Sequence, residues 1–566
     1  MKINSLLNRV LEGVALCLCW YGISYGQETD ANKWQVNLGI QSDLHYSTSP
    51  EQTSNRYHGV NYLTTQIHNK YIRLGVRLEE MVRPLPGFET NKGWGIPYVA
   101  LTGQYKSWEA TLGDVYDQFG SGLVLRSYED RSLGLDNSIR GGRLAYNFRD
   151  LLSIKLVAGQ HRNHFDRGWK VWNPDRGALG GGDMELNVGD LLGTTDHGVL
   201  LRFGGSYVAK YERKEEITQI RDGQTMALVL PETVGAWASR MAVAYKDLNI
   251  YMEYAAKGAD PSRGNNYIFR RGSVAMLTAS YIWGKNSLFI GARRSENFDF
   301  RSDRGASQND MRINFLQPFT KQQTYSLAAL YPYATQPKGE WSFQGQFATK
   351  LEKGSWLGGR YGTDIKLTAS VVRDIQRVWE QPEWESNPQD PSIMGSDGYS
   401  SSFFGMGGPL YHSIDLDIKK KVSPTYTFSL GYSNQLYNQQ AIEGHAINGD
   451  LVSSNIFIYE GKNKLSSKVT LRSELQYLMS KQAQGDWVFG LVECSILPHI
   501  MVTLSDQWNI GTTKEHFYMG SIAGSFGAHR LQLSYGKTRE GINCSGGVCR
   551  LMPATQGVYL SYNFDI

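Results

Sequence analysis

Residues 555–566, the last of the chain, alternate without a break. Val558, Leu560, Tyr562, Phe564 and Ile566 fall on one side, and Gly557, Tyr559, Ser561, Asn563 and Asp565 on the other. A strand sends successive side chains to opposite faces, so this segment carries one apolar, aromatic face and one polar face. An apolar side toward lipid and a polar side toward a lumen is the pattern of a barrel-closing strand. The expected fold is therefore all-β: a transmembrane antiparallel β-barrel in which Val558, Leu560, Tyr562, Phe564 and Ile566 close the wall.

Composition agrees. A chain of 566 residues with 41% hydrophobic content is too polar for a bundle of membrane helices. A barrel tolerates it, because only every second strand residue meets lipid and the loops are polar. The 61 glycines and 33 tyrosines suit turns and interfacial girdles. At the N-terminus, Lys2 and Arg9 precede an apolar run over residues 10–23, and Ser24-Tyr25-Gly26 offers small residues for cleavage. Residues 1–26 are expected to be a cleaved signal peptide, and 27–566 a single barrel domain in the bacterial outer membrane. The net charge of +4 falls to +3 without Lys2, Arg9 and Glu12, which argues neither for nor against a charged partner; no nucleic-acid partner is expected.

Further strands follow. In residues 33–46, Trp34, Val36, Leu38, Ile40, Leu44 and Tyr46 share a face. In 71–80, Ile72, Leu74, Val76 and Leu78 alternate with Arg73, Arg77 and Glu79, a charged face expected to meet water. Similar segments recur up to 555–566, including 138–148, 234–246, 323–331 and 466–479. Together they suggest about 20 strands, within the even-numbered range of bacterial barrels. Strict up–down order breaks near 212–232 and 374–411. Short turns such as Lys246-Asp247 and Ala528-His529 are expected to be periplasmic. Long loops near 162–190, 296–315 and 373–410, the last the largest, are expected to be extracellular. Between the final two strands, Cys544 and Cys549 are separated by Ser-Gly-Gly-Val, and in an exported chain they are expected to form a disulfide; Cys494, in an apolar run, is expected to be a free thiol.

One stretch departs from the pattern. Residues 112–148 gather Asp114, Asp117, Glu129, Asp130 and Asp136 with Arg126, Arg131, Arg140 and Arg143, among glycines at 113, 120, 122, 134, 141 and 142. Glycine permits tight turns, and paired carboxylates and guanidiniums are tolerable inside a wet lumen. Residues 112–137 are expected either to turn inward as a constriction or plug, or to pack on the rim as a loop. With 330–347, 353–365 and the Cys544–Arg550 loop, this stretch resembles a family of outer-membrane proteins of the Bacteroidota with no established activity. The resemblance implies fold, compartment and phylum, and it transfers no site residues.

No catalytic constellation is visible: there is no GxSxG elbow, no HExxH and no Walker loop. His161 and His164 lie three apart, which on a strand places them on opposite faces, so no metal is expected. Trp379 and Trp384 are expected to anchor the largest loop on the rim, or else to stack on a sugar or partner. The expected activity is a channel or porin-like transporter rather than an enzyme, with no cofactor. The alternative is a structural or assembly subunit of an envelope or secretion complex that uses the barrel as scaffold. Expected partners are outer-membrane lipid, the barrel-assembly machinery through the last strand, and other envelope proteins.

Overall fold

The computed structural model describes residues 33–50, 55–163, 165, 176–213, 216–221, 223–306, 309–380, 384–385, 392–396, 398–446 and 449–566; of Arg221, Trp384 and Glu385 it describes the backbone alone. The expected signal peptide, 1–26, lies outside these residues. Antiparallel strands, 24 in all, form one closed sheet. The first, Gln35–Ser47, pairs with Tyr57–His68 on one side and with the last, Thr555–Asp565, on the other. Leu44 faces Leu560, which faces Leu533 of His529–Thr538. Closure leaves no strand edge unpaired, as a hydrocarbon surround demands.

The wall follows the alternation. Leu560 and its neighbours on the same face look outward, where Leu112 and Leu504 are 67% and 62% exposed. Apolar side chains this exposed around a whole barrel would be untenable in water and form a lipid-facing belt. Aromatic pairs such as Trp108–Tyr146 and Tyr281–Trp283 stand near the short-turn rim. No helix among the described residues is long and apolar enough to cross a membrane; the crossing elements are strands.

Several boundaries differ from the sequence expectation. Trp108–Val115 and Ala178–Asn187 are barrel strands, the first running into the irregular stretch and the second inside an expected long loop. Glycine hides both: Gly113 interrupts one, and Gly180-Gly181-Gly182 removes the side chains that would show alternation in the other. Conversely, 323–331 is no strand but part of a segment, 297–338, that leaves the wall after Asn286–Glu296 and returns at Gly339–Leu351. The region 212–232, and those parts of 374–411 before Met406–Lys421 that are described, form small ladders outside the barrel sheet, such as Thr218–Arg221 with Gln224–Leu228 and Val378–Glu380 with Gly398–Ser400.

The interior is packed. On one side of the barrel, Phe119, Leu123, Val124 and Leu125 of residues 116–138, together with Phe298, Phe300, Ile313 and Leu316, are buried against the inward faces of wall strands at Ile139, Val157, Leu179, Val208 and Val274. Ala236, Ala238 and Ala255 keep the wall low there, leaving room for the phenyl rings. On the other side, Leu327, Ala328, Leu330, Tyr331 and Tyr333 pack on Tyr411, Tyr437, Ile456, Leu478 and Trp487. Residues 297–338 thus serve both halves of the lumen.

Placing a charge on the outer belt tests this wall. Leu560→Arg should destabilise the folded barrel by about 2–4 kcal/mol if Leu560 sits near the bilayer midplane. Reversible denaturant unfolding in phospholipid vesicles measures it; a change below about 0.5 kcal/mol would contradict the outward placement.

Candidate functional site

The site begins where the wall lets go of the chain. In Trp108–Val115, Gly113 has φ +108°, and a Cβ there would lie 2.1 Å from the Val99 carbonyl oxygen. The Asp114 carboxylate then accepts the Val99 amide at 2.8 Å, a bond that the ladder no longer supplies. Asp114 is fully buried and is held by Arg140 of the adjoining strand at 2.6 Å. Past this bulge, residues 116–138 turn into the barrel. Gly120, with φ +53°, makes a second close approach: a Cβ would meet Glu253 Oε1 at 2.7 Å. Glu253 instead accepts the Ser121 amide at 3.1 Å.

The two inward segments bond to each other. The Arg126 amide donates to Ile313 O at 2.8 Å, the Phe315 amide to Gly122 O at 2.9 Å, and Asn137 Nδ2 to Arg312 O at 3.0 Å. The Arg126 guanidinium lies 3.9 Å from the Phe315 ring centroid and 4.4 Å from that of Tyr128, a cation on aromatic faces and not in an ion pair among the described residues.

A charge cluster joins the inward segment to the wall. Arg77 of Ile72–Met81 contacts Glu79 at 2.6 Å, Glu129 at 2.9 Å and Asp136 at 2.5 Å. Arg162 contacts Glu79 at 2.7 Å and Asp136 at 2.7 Å, and Arg131 contacts Glu129 at 2.7 Å. Three guanidiniums therefore face three carboxylates. Arg131 also donates to Gln41 at 2.6 Å and lies over Tyr62. Arg77 and Glu79, expected to meet water, are 4% and 1% exposed. Mutual compensation permits it: a buried charge is tolerated when paired and hydrogen-bonded. Burial alone would raise the Asp136 carboxyl, but Arg162, Arg77 and the Ser138 amide outweigh it and hold it at about 2.

The expected residues thus divide. Asp114 pairs with Arg140. Asp117 holds Arg143 at 2.6 Å and Lys155 at 3.0 Å, and Arg143 also reaches Glu109. Glu129, Arg131 and Asp136 enter the cluster. Asp130 caps a turn, accepting from Ser132 Oγ at 2.6 Å and from the Ser132 amide at 3.0 Å. Arg77, Glu79 and Arg162 complete the cluster and were not singled out from the sequence; the alternation of 71–80 carried the only signal for the first two.

The other half of the lumen uses polar anchors that the sequence did not announce. Lys321 Nζ lies 2.9 Å from Asp417, Gln323 donates to Asp415 at 2.7 Å, the Leu327 amide to Gln476 at 2.8 Å, and Gln435 to Ala328 O at 3.0 Å. Over the long-loop rim, the hairpin Gly541–Ser545 and Val548–Met552 carries the Cys544–Cys549 disulfide. It reaches both inward segments: Arg550 donates to Leu133 O at 2.8 Å, Asn309 to Cys549 O at 2.6 Å, and Val548 packs with Leu133 and Phe315. Cys494 is a free, half-buried thiol. No group of three or more metal-ligating side chains occurs among the described residues. His161 bonds Ser302 at 3.0 Å, while His164 lies outside the described residues. Trp379 packs edge-on to Tyr399; the Trp384 side chain lies outside the described set.

The model of a family of unknown function, DUF6029, matches residues 7–566, and the chain belongs to that family. No curated protein sequence matches it. Among solved structures, the P pilus usher (PapC) translocation pore is similar at TM-score 0.42 and 9% identity, covering 94% of this chain and 99% of that one. The siderophore receptor PirA from Pseudomonas aeruginosa gives TM-score 0.40 and 9% identity, with 96% and 81% covered. OccAB2 from Acinetobacter baumannii gives 0.35 and 8%, with 95% and 100% covered. Identity at this level transfers no residue role.

The charge cluster should show in an acid titration. The Asp136 pKa is depressed on folding from an ordinary value of 3.8 to about 2, so its contribution is fully present above about pH 4 and is lost as pH falls through about 2. Near-ultraviolet circular dichroism, sensitive to the neighbouring Tyr98–Tyr116 stack, should stay flat from neutral pH to about 4 and then decline. In Asp136→Asn this acid decline should weaken. A wild-type transition centred above about pH 5 would contradict the assignment.

Proposed function

We propose that this member of the DUF6029 family is a bacterial outer-membrane channel, of the Bacteroidota, closed at rest by its own inward segments. The observation that carries the reading is the mismatch between wall and need. A barrel that merely anchors a protein closes with as few as eight strands, whose side chains fill the interior. A wall of 24 strands encloses a lumen that must be filled by other means. The chain devotes residues 116–138 and 297–338 to filling it, and ties them to the wall through ion pairs and polar bonds as well as apolar packing. In this reading the short-turn rim is periplasmic, the opposite rim, with the ladders of 374–405, is extracellular, and permeation requires the inward segments to move. Outer-membrane lipid and, through the last strand, the barrel-assembly machinery are its partners, and residues 1–26 direct its export.

A second reading, an assembly subunit of an envelope or secretion complex, draws on exposed apolar side chains on the long-loop side: Phe404 is 78% and Trp379 63% exposed. They suit a protein partner as well as a rim.

Planar-bilayer conductance separates the readings. Wild type should be nearly silent. A variant with residues 118–136 replaced by a short Gly-Ser linker, shown to be folded by heat-modifiable migration, should give stable open steps. A folded, silent deletion variant would sink the channel reading and leave the scaffold.

A further inference from the structure

Between the inward segment and the disulfide hairpin lies a cavity of about 380 Å³. Its walls include Lys321, Gln322, Tyr331, Tyr333, Arg539 and Asn543, and no carboxylate lines it. The volume is in the range of small-molecule sites. It stands at the long-loop rim, because Arg539 directly follows the strand His529–Thr538.

The two lining cations differ. Lys321 is neutralised by Asp417 at 2.9 Å and Asp415 at 3.6 Å. Arg539 forms no ion pair among the described residues; its Nη1 donates to the carbonyl of the adjacent Glu540 at 3.0 Å. Burial lowers the Arg539 pKa, and Tyr331 and Glu443 only partly offset that. Its position depends on its neighbour: a Cβ on residue 541 would lie 2.3 Å from Arg539 Nη1, so glycine there lets the guanidinium fold against the backbone. The same cavity is lined by aromatic rings, Tyr333 against Tyr411 at 5.5 Å, and Tyr331. A half-buried guanidinium with no carboxylate at ion-pair distance among the described residues leaves its donor fork open to an oxyanion. Aromatic faces beside it suit the C–H surface of a sugar ring.

We propose that this cavity is a binding site for a monosaccharide-sized organic anion, a sugar acid or sugar phosphate, with its carboxylate or phosphate on Arg539 and its ring against the tyrosines. The role in transport rests on the channel reading; the binding itself does not.

Calorimetric titration of the purified full barrel in detergent tests it, with glucuronate and glucose 6-phosphate as probes and glucose and inorganic phosphate as controls. Both probes should bind at least about tenfold more tightly than glucose and than inorganic phosphate. Arg539→Gln should weaken them about tenfold or more. Gly541→Val, which displaces the guanidinium, should do the same, and heat-modifiable migration shows whether each variant is folded. Probe binding no stronger than that of glucose or inorganic phosphate would overturn the site. So would no binding at about 10 mM, or unchanged binding in folded Arg539→Gln. Binding retained by a barrel that stays silent after deletion of 118–136 would sink the channel reading and leave the site standing; conductance without binding would do the reverse.

Discussion

Charge compensation between wall and inward segment is the interaction on which the interior depends. Arg77 and Glu79 point inward from the wall, and Glu129, Arg131 and Asp136 come from the segment that turns in after Gly113. Removing the segment's carboxylates leaves Arg77 with Glu79 alone, which it shares with Arg162. An uncompensated buried charge costs about 3–5 kcal/mol. Water would have to enter to relieve it. Wall and segment therefore specify each other: the polar inner face of the barrel also selects a charged filling.

Apolar packing supplies the rest, and it is divided. One cluster, around Phe119, Phe298 and Phe300, occupies the side whose wall is lowered by Ala236, Ala238 and Ala255. The other, around Leu327 and Tyr331, sits on Tyr437, Leu478 and Trp487. Residues 297–338 contribute to both, so movement of that one segment would loosen the two halves together. The disulfide hairpin rests on it and on Leu133, which places an oxidised clasp over both inward segments.

Much of the wall was legible in the sequence, because lipid outside and polar lumen inside impose a period of two on every crossing. The closing strand, the short turns and the cysteine pair came directly from that pattern and from spacing. The strands least legible in the sequence, Trp108–Val115 and Ala178–Asn187, carry glycine where alternation would show. The stretch 323–331 misled in the opposite way: Tyr325 and Leu327 alternate with polar neighbours, but their apolar face meets the inner wall and not lipid. The charged content of residues 112–148 pointed to an unusual segment. Its partners did not show, because strand register brings them to Asp136: the hairpin of Ile139–Phe148 with Leu152–His161 sets the Arg162 amide on Ser138 O at 2.8 Å, and Arg77 stands 59 residues from Asp136 in the chain. Arg77 and Glu79 read as solvated for the same reason: no local pattern distinguishes a charge facing water from one facing its counter-charge.

Hydrogen exchange followed by mass spectrometry, on the barrel in lipid nanodiscs, tests the central claim that packed inward segments close the lumen. The amides of Phe119, Arg126, Phe315 and Leu327 all donate within the interior. Closure predicts that peptides spanning them exchange as slowly as those of the wall, over hours. Exchange within seconds, in a barrel whose strands remain protected, would contradict it.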